Sequence, residues 1–141
     1  MTGERQPLRY PFRIGRRSRP FLRLWAVEAD RDAVVIDGEE MRVDFGFAHL
    51  RFPVANVARW RIEGPWSWIT AIGIRRGFRS GDISLQGSPR GGVRVDFRER
   101  ISWGPLRIPA LYVGVEDLEG LAAELAARGI PGEDARTRRA P

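Results

Sequence analysis

A chain of 141 residues with 43% hydrophobic and 30% charged side chains has the size and balance of one globular domain that buries its own core without covalent staples. It has no cysteine, which excludes disulfides, thiolate metal sites and cysteine nucleophiles. Its 24 basic residues, behind a formal net charge of +6, are all arginine, so a Walker A loop, a Schiff base and a lysine general base are excluded as well.

Arginine without lysine reflects codon bias more than guanidinium chemistry at every site, so position carries more information than number. Residues 1–23 hold seven arginines against Glu4, and residues 128–141 hold four against Glu133 and Asp134. Residues 24–127 hold 13 arginines against 15 acids. The positive charge therefore sits in the ends, and a nucleic-acid groove in the body is not expected.

In chain order, residues 1–20 read as a basic N-terminal arm, partly disordered or forming an edge strand in which Tyr10, Phe12 and Ile14 alternate. The run "FLRLWAV" is too short for a membrane span and is interrupted by Arg23, so neither secretion signal nor anchor is expected. From Leu22 to Val115 the pattern has period two, as in half-buried strands. Met41, Val43, Phe45 and Phe47 share one face, with Glu40, Arg42 and Asp44 on the other. Leu50, Phe52 and Val54 predict a further strand, as do Ala58, Trp60 and Ile62, then Thr70, Ile72 and Ile74, and later Val93, Val95 and Phe97. Asp37-Gly38 predicts a type I′ hairpin turn, because that dipeptide tolerates positive φ. Residues 86–92, "QGSPRGG", predict a looser connection.

The period then changes. Leu118, Leu121, Ala122, Leu125 and Ala126 form one apolar helical stripe at about 117–128, with Asp117 as N-cap and Gly129 and Pro131 as the stop. Residues 131–141 read as a disordered tail. A near-repeat pairs "MRVDF" (41–45) with "VRVDF" (93–97) and "LRFPV" (50–54) with "LRIPA" (106–110). Duplication and arginine bias acting on alternating strands both account for it.

Short strands ending in a single helix predict an antiparallel sheet, since parallel neighbours need crossovers. Such a sheet closes or is covered, here as a mainly β small antiparallel barrel or sandwich over residues 21–130 with one C-terminal helix as lid. In the run "DAVVIDGEEMRVDFG…LRFPVANVARWRIEG", with the terminal helix "DLEGLAAELAARG", the chain resembles bacterial pleckstrin-homology-like (PH-like) domains over roughly residues 21–129. It is also similar to actinobacterial proteins with a comparable "N-V…I-E-G-P" step. The resemblance implies a non-catalytic barrel that binds lipids, peptides or further copies of itself at its open end and strand edges.

Trp66 and Trp68 in "GPWSW" and Trp103 in "SWGP" sit in Gly-Pro turns. They read either as a hydrophobic plug or as a lip that stacks on an apolar ligand. Arg75, Arg76 and Arg79 surround Phe78 near a turn, where a solvated hairpin tip competes with a phosphate-bearing or protein partner. Arg13, Arg16, Arg17 and Arg19, mixed with Tyr10 and Phe12, suit an anionic lipid surface. The single histidine, His49, alternates to an exposed strand position. The carboxylates Asp37, Glu39 and Glu40 flank a hairpin, and Glu116, Asp117 and Glu119 open a helix whose dipole favours acids. No catalytic, cofactor or metal constellation is visible. The expectation is a cytoplasmic, non-enzymatic binding or assembly module that recruits a protein partner or self-associates. Anionic-membrane attachment through the N-terminal arginines and an apolar-ligand barrel with a tryptophan mouth are the alternatives.

Overall fold

The computed structural model describes residues 6–15, 31–46, 48–64, 73–76, 82–86 and 91–135. Among these residues ten strands and one α-helix follow in order: β1 (Leu8–Pro11), β2 (Ala33–Asp37), β3 (Glu40–Phe45), β4 (Ala48–Pro53), β5 (Val57–Glu63), β6 (Gly73–Arg76), β7 (Ile83–Gln86), β8 (Gly92–Trp103), β9 (Leu106–Val113), α1 (Leu118–Ala127) and β10 (Gly132–Asp134). A 3-10 turn, Val54–Asn56, links β4 to β5. The protein is thus mainly β with a C-terminal helix. Tyr10, within the expected N-terminal arm, lies on β1, an edge strand pairing antiparallel with β2.

The strands form two sheets, β1-β2-β3-β4 and β10-β5-β8-β9-β7-β6. Among the described residues they do not close into one barrel, and the arrangement is sandwich-like. The backbone joins them at one seam, where Phe12 bridges Val115 and Arg13 N–H donates to the Gly114 carbonyl at 2.9 Å. Both sheets feed one core that includes Val34, Met41, Phe45, Leu50, Val95 and Leu111, closed by Leu121 and Leu125 of α1. Phe12 tilts against Phe45 with ring centroids 4.6 Å apart, so the seam is packed as well as hydrogen-bonded.

In β3 and β4 the period-two pattern is realised directly. Met41, Val43 and Phe45 are buried opposite Phe52, Leu50 and Ala48, while Arg42, Asp44, His49 and Arg51 face away. The expected Asp37-Gly38 turn is displaced by one residue. Asp37 pairs with Glu40, so Gly38 and Glu39 form the turn, and Gly38 supplies the positive φ of 65° that a two-residue hairpin requires at its first central position.

Two parallel pairings correct the expectation of a purely antiparallel sheet: β7 with β9 and β10 with β5. The crossovers thought to be lacking are supplied by β8, which carries the chain from β7 back to β9, and by α1, which precedes β10. The disordered tail expected from 131 is also corrected over its first residues, because Gly132–Asp134 form β10. The near-repeat does not repeat in space. Met41 pairs with Phe52 inside the first motif pair, whereas the corresponding Val93 pairs with Val113, beyond the second.

Helix α1 ends where backbone chemistry dictates. Asp117 caps its start by accepting from Gly120 N–H at 2.9 Å. Its carboxylate lies 2.1 Å from where a Cβ on residue 120 would stand, which explains a glycine inside the first turn. At the other end Gly129 N–H donates to Ala126 O and Ile130 N–H to Leu125 O, at 2.9 and 3.1 Å, with Gly129 at φ 85°. This is a Schellman motif, and it turns the chain back toward β5.

Candidate functional site

Beyond Phe97, its last residue paired with β5, strand β8 continues with β9 as a two-stranded arm. Asp96 pairs with Ala110, and the next pair is Ile101 with Ile108. Four residues of β8 therefore stand opposite Pro109 alone. Proline has no N–H to give the ladder, so a bulge is the natural partner for it. The bulge is held from the side by the 3-10 turn. The Asn56 carboxamide donates to Glu99 O at 2.9 Å and accepts from Glu99 N–H at 3.0 Å, and Arg98 Nε donates to Ala55 O at 3.1 Å.

Past the bulge the pairs Ile101–Ile108, Ser102–Arg107 and Trp103–Leu106 resume. Gly104, at φ 58°, and Pro105 make the tip, a type II′ turn because proline cannot take the second positive φ of type I′. Ile101, Trp103 and Leu106 are half-buried against the core. Alternation then sends Ser102 and Arg107 to the opposite face, where Arg100 joins them. Arg98, Arg100, Ser102 and Arg107 are all exposed.

The arginines on the outer faces of the sheets are paired. Arg94 reaches Asp82 at 2.5 Å and Asp96 at 3.0 Å; Arg59 also reaches Asp96, at 3.5 Å. Arg61 lies 3.1 Å from Glu63 and 3.4 Å from Glu133, Arg42 3.6 Å from Asp44, and Arg51 3.6 Å from Glu40. Burial opposes the charge on Arg94, but the hydrogen bond and charge of Asp96 and those of Asp82 outweigh it and hold its pKa above the ordinary value. No carboxylate pairs with Arg100 or Arg107 among the described residues. Two free guanidinium forks flanking a hydroxyl suit carboxylate or phosphate oxygens.

The predicted site residues are scattered by the fold. Trp103 lies at the arm's tip, half-buried beneath the turn. Arg75 and Arg76 lie on β6, antiparallel to β7 with Arg75 opposite Ser84. Arg13 sits at the seam. Trp66, Trp68, Arg79, Arg16, Arg17 and Arg19 lie outside the described residues. His49 is exposed and meets Asp44 across the strands at 2.7 Å. No cluster of three metal-ligating side chains occurs among the described residues, and no helix there is long and apolar enough to cross a membrane.

Sequence reasoning missed Trp60 as anything more than a strand residue. Its indole N–H donates to Ile130 O at 2.9 Å, and its ring occupies the space where a side chain on residue 132 would begin, 2.1 Å from the Cβ position. No local pattern connects residues 70 positions apart. Arg100 and Arg107 were equally obscured, since arginine on alternate strand positions is the rule throughout this chain. No family model matches the sequence, and neither the curated proteins nor the solved structures contain a match to it.

Proposed function

We propose that this chain is a non-catalytic binding module of PH-like type that recruits an acidic protein surface through the arm of β8 and β9. The observation that carries the reading is the placement of Arg100 and Arg107 on the exposed face of a clamped hairpin, without carboxylate partners among the described residues, while Arg42, Arg51, Arg59, Arg61 and Arg94 on the sheets each meet one. A run of four antiparallel strands followed eventually by a covering C-terminal helix supports the PH-like part, and the two parallel pairings are its departure from that pattern. An arm clamped before its partner arrives binds with little ordering cost.

Affinity capture from the native cell tests this directly, with the wild-type chain and the R100E/R107E variant compared at rising salt. Partners held by the wild type should be released by the charge reversal and by salt, since attraction between exposed charges is screened beyond about 8 Å at physiological ionic strength and at shorter range as salt rises. Equal capture by both chains defeats the reading. Anionic vesicles bound in the same arginine-dependent way, with no protein captured, would replace it with a membrane surface.

A further inference from the structure

We propose that the outer edge of β5 is a strand-acceptor slot and that two copies of this chain exchange the segment Ile130–Ala135 through it. The inference goes beyond the proposed function, because it concerns a different surface and a different partner.

The slot is specific in five ways. Trp60 N–H donates to Pro131 O at 3.1 Å and Ala135 N–H to Ile62 O at 2.8 Å, framing a parallel register of Gly132, Glu133 and Asp134 on Trp60, Arg61 and Ile62. The Trp60 indole N–H holds Ile130 O at 2.9 Å. The indole ring leaves room for glycine alone at position 132. Arg61 Nε meets Glu133 at 3.4 Å. Finally, Ile130 is 8% exposed within the core, an apolar anchor at the head of the segment. A backbone ladder, a glycine notch, a basic position and an apolar hole together describe an extended ligand of the type Ile-Pro-Gly-acid, which this chain itself carries.

The segment is loosely built in by comparison. All of Pro131–Ala135 is exposed, β10 has three residues, and it joins the body through Gly129, whose positive φ is free to change because glycine alone adopts either sign readily. Unwinding at Gly129 and seating the segment in a neighbouring copy replaces every contact by an identical one, so the exchange is governed chiefly by concentration and by the hinge. The chain has no native cysteine, which makes the exchange directly readable.

One chain carrying Arg61→Cys is mixed with another carrying Glu133→Cys, equilibrated at high protein concentration and oxidised. These positions are register partners, and neighbouring strand positions fall within the roughly 4.4–6.8 Å Cα separation a disulfide accepts. Exchange predicts a covalent heterodimer that increases with concentration and is lost when Gly132→Val is added to the Glu133→Cys chain. Arg59→Cys with Glu133→Cys, out of register, sets the background of random collision. A heterodimer yield no greater than that background overturns the proposal, as does a yield unaffected by Gly132→Val. R100E/R107E should leave the yield unchanged, so failure of the arm reading and failure of the exchange are separable.

Discussion

Asn56 and Glu99, 43 positions apart, are joined by two hydrogen bonds that run in opposite directions between one carboxamide and one peptide unit. The Asn56 side chain does for the bulge what a neighbouring strand does elsewhere, satisfying both backbone groups of a residue that β9 cannot reach. Asn56→Ala removes both bonds. These groups lie near solvent and water replaces part of the loss, so the cost is about 1–2 kcal/mol. Asn56→Asp retains an acceptor for Glu99 N–H and loses the donor, so it should cost less. Urea midpoints of the three chains check the order, and amide exchange at Glu99 should accelerate most in Asn56→Ala.

The contact between Trp60 and Gly132 leads to a different result. A methyl group at 132 meets ring atoms close to the indole's attachment point, and a ring held by its N–H to Ile130 O cannot turn aside without breaking that bond. Gly132→Ala should therefore detach β10 and not merely strain it. Overpacking of this kind costs roughly 1–3 kcal/mol, capped here by what the three-residue strand contributes. The expected signature is faster exchange of the Ala135 amide with a nearly unchanged global unfolding midpoint.

How legible was this in the sequence? Strand alternation at Met41, Val43 and Phe45, and the apolar stripe of α1, were readable because each element buries one face and its period follows from that alone. The helix stop at Gly129 was readable because only glycine takes the required φ cheaply. What failed depended on contacts between distant segments. Gly132 reads as a tail residue until Trp60 stands over it, and nothing near Pro109 in sequence announces the four residues of β8 that bulge opposite it. The parallel neighbours of β7 and β10 were missed because crossovers were sought in helices between strands, while β8 served as one of them.

Arg94 holds two half-buried carboxylates, Asp82 and Asp96, whose side chains are 13% and 23% exposed. Arg94→Ala takes the arginine contact from Asp82 and leaves Asp96 the longer contact to Arg59. Charge-assisted hydrogen bonds contribute about 1.5–3 kcal/mol, and partial exposure reduces this, so a loss of about 2 kcal/mol is expected. Arg94→Ala/Asp82→Asn should recover part of it by removing a half-buried charge that has lost its arginine. A double-mutant cycle on denaturation midpoints measures the coupling, and a value near zero contradicts this account.

Tyr10 gives the fold a sensitivity to alkali. Burial, followed by the charges of Glu124 and Asp117, pushes its phenol above the usual 10.0, against the opposing pull of Arg128. The raised value means that the folded chain retains this proton after the unfolded chain has released it. The stabilisation is complete below the unfolded value of about 10 and is lost as pH rises through the folded one. Stability should thus decline more steeply above pH 10 in the wild type than in Tyr10→Phe, by urea midpoints followed across that range. Parallel curves would show that the phenol titrates alike in both states.

The arm separates stability from binding. Arg100 and Arg107 point into solvent, so R100S/R107S should move the unfolding free energy by no more than about 0.5 kcal/mol. Ile108, on the other face of the same strand pair, is fully buried, and Ile108→Ala should cost about 2–5 kcal/mol. The two substitutions act on opposite sides of one hairpin, and this makes the comparison informative. If the arm were only a cover for the core, capture of partners would follow stability and fail in Ile108→Ala alone. If Arg100 and Arg107 form the contact surface, capture fails in R100S/R107S while the melting curve stays in place.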